Sequence, residues 1–122
     1  MCQVKTTTIG SQTLRIADIK EKYISNVIDA ANQCDIIDRI VLFGSATGGE
    51  CKEESDIDLA IFGNQTEYKA LRSKKYSDFT TKLYSFDDAG QSYDLLYFTS
   101  GKNYKGLIMS EIENGELIYA RT

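Results

Sequence analysis

From Ile16 to Cys34 the apolar residues Ile16, Ile19, Tyr23, Val27, Ala30 and Ala31 recur every three or four positions, a spacing that lays one apolar stripe along a helix. The rhythm then changes. Arg39 to Phe43 (RIVLF) is a short apolar run that stops at Gly44, which predicts a buried strand. A polar loop with Gly48, Gly49, Glu50 and Lys52 to Glu54 separates it from a second apolar run, Ile57 to Phe62, closed by Gly63-Asn64, and this too predicts a strand. Thr66 is placed to cap a helix reaching about Ser85, with Tyr68, Leu71, Tyr76, Phe79 and Leu83 on its apolar side. Tyr93 to Phe98 (YDLLYF) predicts a third strand. Lys102 to Glu113 predicts a helix ending before Asn114-Gly115, and Leu117 to Ala120 a short last strand.

Strands alternating with helices over 122 residues predict one α/β (α+β) domain, a small mixed sheet flanked by helices. That domain takes in residues 1–122, and 1–15 form an N-terminal extension to which the pattern assigns no element. The chain has no proline and no internal repeat; 42% of its residues are hydrophobic and 26% charged, which places it among folded domains. A formal charge of −4 argues against an extended nucleic-acid surface, where binding works by neutralising phosphates with Lys and Arg. A small nucleotide is compatible with that charge, because metal ions neutralise phosphate where the protein does not. No apolar run approaches the ~20 residues that span a bilayer, and Met1 to Gly10 lacks the apolar core of a signal peptide. The expectation is a cytoplasmic protein without a membrane partner.

Cysteines narrow the chemistry. Cys2, Cys34 and Cys51 are odd in number and widely spaced, and the chain has no histidine. A zinc site or disulfide framework is therefore not expected, and every Ser-His or Cys-His nucleophile is excluded. Reaction chemistry must run on carboxylates, lysines, hydroxyls or metal. Asp56 and Asp58 stand two apart at the start of the second predicted strand, so the period of two points both carboxylates to one face. Magnesium takes oxygen ligands, a few carboxylates plus phosphate and water, and Asp94 in YDLLYF is the natural third donor. Three carboxylates suit a pair of metal ions roughly 4 Å apart that clamp the attacking and leaving oxygens at phosphorus. Gly44-Ser45 follows a strand and begins a turn, where backbone N–H groups and a hydroxyl can meet phosphate oxygens. Taken singly these features are common in turns and at strand edges; their order along the chain is what points to a site. The cations Arg72, Lys74, Lys75 and Lys82 on the middle helix fit a solvated face and receive no role.

The stretch Leu42 to Ile61, LFGSATGGECKEESDIDLAI, resembles the signature of the nucleotidyltransferase superfamily related to DNA polymerase beta, specifically its minimal (MNT) branch. The family's Gly-Ser turn, a glycine five positions on and a Ser-Asp-x-Asp strand fall on Gly44, Ser45, Gly49, Ser55, Asp56 and Asp58, with Asp94 where a third catalytic aspartate is expected. The closing segment IMSEIENGELIY, Ile108 to Tyr119, is similar to the helix-turn-strand ending of that branch. The chain departs from it in one respect. Many minimal members carry an arginine just before the second glycine and often another after the serine, where this chain has Gly48 and Ala46.

The resemblance implies transfer of a nucleoside monophosphate, AMP from ATP, to an acceptor hydroxyl. Asp56, Asp58 and Asp94 would hold two Mg2+ ions (or Mn2+), and Gly44, Ser45, Gly49 and Ser55 would contact the nucleotide. Minimal relatives look like antitoxins encoded beside HEPN-domain proteins, so it further implies a HEPN partner carrying the acceptor tyrosine, and assembly as a homo- or hetero-oligomer. Two alternatives stay open: an antitoxin that neutralises its partner by contact alone, and the catalytic subunit of a small-molecule nucleotidyltransferase.

Overall fold

The computed structural model describes residues 4–9, 12–17, 20–47, 55–86 and 90–121. The strands β1 (Val4–Ile9) and β2 (Gln12–Ala17) form an antiparallel hairpin. Helix α1 (Glu21–Asn32) leads into β3 (Ile37–Phe43), a 3-10 turn (Gly44–Thr47) and β4 (Ile57–Gly63). Helices α2 (Glu67–Arg72) and α3 (Lys74–Tyr84), β5 (Tyr93–Thr99), α4 (Leu107–Glu113) and β6 (Glu116–Ala120) complete the chain. The main sheet has the order β5-β4-β3-β6, with β4 and β5 parallel and the other pairs antiparallel. This is the small mixed sheet with flanking helices that the strand and helix rhythms predict.

Alternation along the strands builds two layers. Ile57, Leu59 and Ile61 of β4, with Ile40 and Leu42 of β3, pack under Tyr23, Ile24, Val27 and Ala31 of α1 and Tyr76, Phe79 and Leu83 of α3. The intervening residues Val41, Phe43, Ala60 and Phe62 face the other way, against Ile112 of α4. One face is sealed by two long helices. The other is covered by the seven-residue α4, whose Leu107 stays 90% exposed.

Three elements depart from the sequence reading. Ile16 belongs to β2, not to the helix, which begins at Glu21; its side chain is fully buried all the same, and with Leu14 it seats the hairpin on the main core. The single helix expected from Thr66 to Ser85 is two. Thr66 does cap the first, accepting a hydrogen bond from the Lys69 N–H at 3.3 Å. Ser73 then adopts an extended ψ of 150°; its hydroxyl donates to Ala70 O at 2.8 Å and accepts from the Tyr76 N–H at 3.1 Å, ending one helix and opening the next. In consequence Tyr68 and Leu71 are 68% and 52% exposed, while Tyr76, Phe79 and Leu83 are buried. Finally, Lys102 to Lys105 are not helical. Tyr104 is held to β5 instead, its hydroxyl accepting from the Thr99 N–H at 2.9 Å and its ring edge-on to Phe98. Helix α4 starts only after Gly106, whose φ of 128° suits glycine.

Arg121 ties the last strand to α1, donating from Nη2 to Ala31 O and Cys34 O at 3.1 and 2.8 Å and from Nε to Ile37 O at 3.1 Å. The Ala31 and Cys34 carbonyls, at and just beyond the end of α1, also accept from the Cys34 and Ile37 N–H groups, so Arg121 adds a second donor to each. Of the middle-helix cations, Lys75 pairs with Asp35 at 2.8 Å and Arg72 lies over the Tyr68 ring. The division of the middle helix makes a quantitative prediction: Phe79→Ala costs about 3–5 kcal/mol in urea unfolding, whereas Leu71→Ala costs under about 1 kcal/mol. Equal losses would contradict the packing described.

Candidate active site

The register of the sheet brings the acidic residues together. Asp58 is the second residue of β4 and lies opposite Phe43 of β3 on one side and Asp94 of β5 on the other. Asp56 stands immediately before the strand and is exposed. Asp58 and Asp94 fall on the Ala60, Phe62 and Phe98 side of the strands, the face that α4 only partly covers. Of the three aspartates expected from the sequence, Asp58 and Asp94 stand side by side on neighbouring strands, whereas Asp56 precedes the ladder and does not belong to it.

Gly44 is fitted to this arrangement in two ways. Its φ of 76° lies in the left-handed region, where side chains are disfavoured, and a β-carbon there would overlap Asp58 Oδ2. The backbone of the turn thus comes directly against the carboxylate. The turn itself runs Gly44–Thr47, with Thr47 Oγ1 donating to Gly44 O at 2.8 Å. Ser45 lies within it, at the end of β3, though its side chain is outside the described residues, as is the whole of Gly49. Ser55 is half-buried, and its carbonyl accepts hydrogen bonds from Lys20 Nζ at 2.8 Å and Gln91 Nε2 at 2.9 Å.

Electrostatics single out Asp58. Partial burial raises its pKa above the ordinary carboxylate value, and the negative charges of Asp94, Asp56 and Glu111 push in the same direction. Glu111, on α4, escapes a reading of the sequence because its approach to Asp58 depends on where α4 lands on the sheet. Lys20 and Gln91 escape for a similar reason, their partners being 35 and 71 positions away in the chain.

A half-buried carboxylate repelled by acidic neighbours is a good oxygen donor for a divalent cation, which would relieve that repulsion. The donor set fits a metal. No three acidic or cysteine groups among the described residues converge into a cage; the residues that would hold an ion are Asp58 and Asp94, adjacent in register, with Asp56 just before the strand. Further along the same face, a cleft of about 420 Å³ lies between the sheet and α4, lined by Arg39, Val41, Phe62, Met109, Ile112 and Glu113. Neither Tyr104 nor Tyr119 is a free ring: Tyr119 is buried, and Tyr104 packs on Phe98.

Two measurements test this geometry. Gly44→Ala is expected to destabilise the chain by at least about 1–3 kcal/mol, and by more than Gly90→Ala, where φ is 75° but a β-carbon meets nothing within 4 Å. Equal costs would show that the Asp58 contact is unimportant. The second concerns pH. Because the folded-state pKa of Asp58 is raised, its ionisation opposes folding: the contribution to stability is greatest at low pH and is lost as pH rises through the folded value. Asp58→Asn should therefore melt higher than wild type at pH 7 without added metal. The wild type should recover ground relative to the variant as pH falls toward about 4; a variant that melts lower at pH 7 would refute this.

Among the described residues, no helix is long and apolar enough to cross a membrane. Comparison with curated proteins gives no match. Residues 25–122, from inside α1 to the end of the chain, match the family described as Polymerase beta, Nucleotidyltransferase. With the Gly44 turn set against Asp58, and Asp58 paired in register with Asp94, the chain belongs to the nucleotidyltransferase family of DNA polymerase beta.

Proposed function

We propose that the chain transfers AMP from ATP to an acceptor hydroxyl, using two divalent metal ions (Mg2+, or Mn2+) at Asp56, Asp58 and Asp94, and that the acceptor is a tyrosine on a HEPN-domain partner that the chain neutralises in the cytoplasm. The observation that carries the reading is the register pairing of Asp58 with Asp94 beneath a glycine turn that touches Asp58. Bound there, divalent ions neutralise phosphate charge and promote in-line displacement at phosphorus. The chain's own residues do the rest. Asp58, already destabilised as a free anion, anchors the cationic side of the substrate, with Asp56 beside it at the solvent edge. Gly44, Ser45, Gly49 and Ser55 are the residues assigned to nucleotide contact, from the order of the Gly-Ser turn and the Ser-Asp-x-Asp strand in the sequence. Asp94 accepts the proton of the attacking hydroxyl as the oxygen–phosphorus bond forms and the bond to the leaving pyrophosphate breaks.

A second reading is inhibition of the partner by contact alone. It is favoured by the apolar exposure of Leu107, Ile108 and Leu117 on α4 and β6, at 90%, 38% and 40%, and by Ala46 and Gly48 where many minimal relatives carry arginine.

Incubating the purified chain with cell extract of its own organism, Mg2+ and α-labelled ATP separates the two. Transfer predicts a labelled protein band that EDTA abolishes and that Asp56→Asn, Asp58→Asn and Asp94→Asn each reduce by at least about 100-fold. Undiminished labelling by Asp58→Asn would overturn the catalytic assignment. An unlabelled partner that co-purifies with wild type and Asp58→Asn alike would favour the contact reading.

A further inference from the structure

We infer that Lys20 is a positioning residue for the acidic site, acting through Gln91 to hold the starts of β4 and β5 in place. Lys20 is 1% exposed and is the largest fully buried side chain among the described residues. Removing an ammonium from water is costly unless hydrogen bonds compensate. Its Nζ donates to Ser55 O at 2.8 Å and to Gln91 Oε1 at 2.6 Å. Gln91 Nε2 in turn donates to Ser55 O at 2.9 Å and to Ser92 O at 2.7 Å, and Ser92 O also accepts from the Ile57 N–H at 3.0 Å.

The partners are placed where they matter. Ser55 directly precedes Asp56, Ile57 separates the two aspartates, and Gln91-Ser92 lead into Tyr93-Asp94. One buried cation at the start of α1 therefore fixes both strand starts that carry the acidic residues, and it does so where the parallel ladder begins, Ile57 opposite Tyr93. It holds these strand starts where Asp58 is opposed by the negative charges of Asp94, Asp56 and Glu111. Lys20 lies ahead of residues 25–122, the part that matches the family, whereas its partners Ser55 and Gln91 lie within it. Through the Ser55 carbonyl and the Gln91 amide it acts on the strand starts.

The inference rests on the proposed function for its kinetic arm only. In Lys20→Met and in Gln91→Met, amide exchange at Ile57, Asp58 and Asp94 should quicken by about 10-fold or more while Ile40 and Leu42 of β3 stay protected. The kcat for AMP transfer should fall by about 10- to 100-fold with KM for Mg2+·ATP changing less than about threefold. Lys20→Arg, which keeps a buried cationic donor, should restore part of kcat. Uniformly faster exchange across the sheet, or unchanged exchange at Ile57, would overturn the clamp, as would an unchanged kcat. Should Lys20→Met fail to fold, the half-buried Gln91 supplies the same readouts. If the wild type transfers no label, the proposed function fails, and the clamp is decided by the exchange pattern alone.

Discussion

The parallel pairing of β4 with β5 governs the molecule, because it forces a crossover between two strands that run the same way and sets Asp58 beside Asp94. Parallel neighbours cannot be joined by a tight turn. The residues between them form α2 and α3, and α3 packs with α1 over one face of the sheet. A slip of one residue would send Asp58 or Asp94 into that sealed core and bring apolar neighbours out of it. Burial of Ile57, Leu59 and Ile61 on the helix side therefore keeps the acidic pair on the other. Each fully buried side chain of this kind contributes about 1.5–3 kcal/mol, enough in sum to hold like charges side by side.

Packing and charge oppose one another at Asp58. The strand must be buried to be stable, yet its second residue is a carboxylate facing Asp94, Asp56 and Glu111. The conflict is local because the neighbouring groups are arranged to bear it. Gly44 has no β-carbon to collide with Asp58, α4 only partly covers this face, and buried polar contacts secure the strand starts. The glycine and the aspartate are coupled sterically, since a β-carbon at Gly44 would occupy the space of Asp58 Oδ2.

Much of this was legible in the sequence, and the parts that were not share a cause. Arg39 to Phe43, Ile57 to Phe62 and Tyr93 to Phe98 are short apolar runs closed by turn residues, and they became β3, β4 and β5 with boundaries shifted by two residues or fewer. Ile16 fitted a helical stripe by spacing, but its burial comes from a hairpin that leans on the core. Ser73 is a residue whose hydroxyl competes with the helix backbone, and periodicity alone reads across it. Lys102 to Lys105 carry good helix formers, yet the Tyr104 hydroxyl found the Thr99 amide. Glu111, Lys20 and Gln91 depend on contacts between distant segments, and no local pattern contains them.

The two faces of the sheet are unequal in a way that bears on traffic. Among the described residues, α1 and α3 close one side, and Asp58 and Asp94 face the side of α4. A nucleotide and the molecule it modifies that both came from that side would share one approach, and the departing product would leave by it. A large acceptor seated over the cleft beside Phe62 and Ile112 would then stand in the exit path, making its departure a condition for the next round.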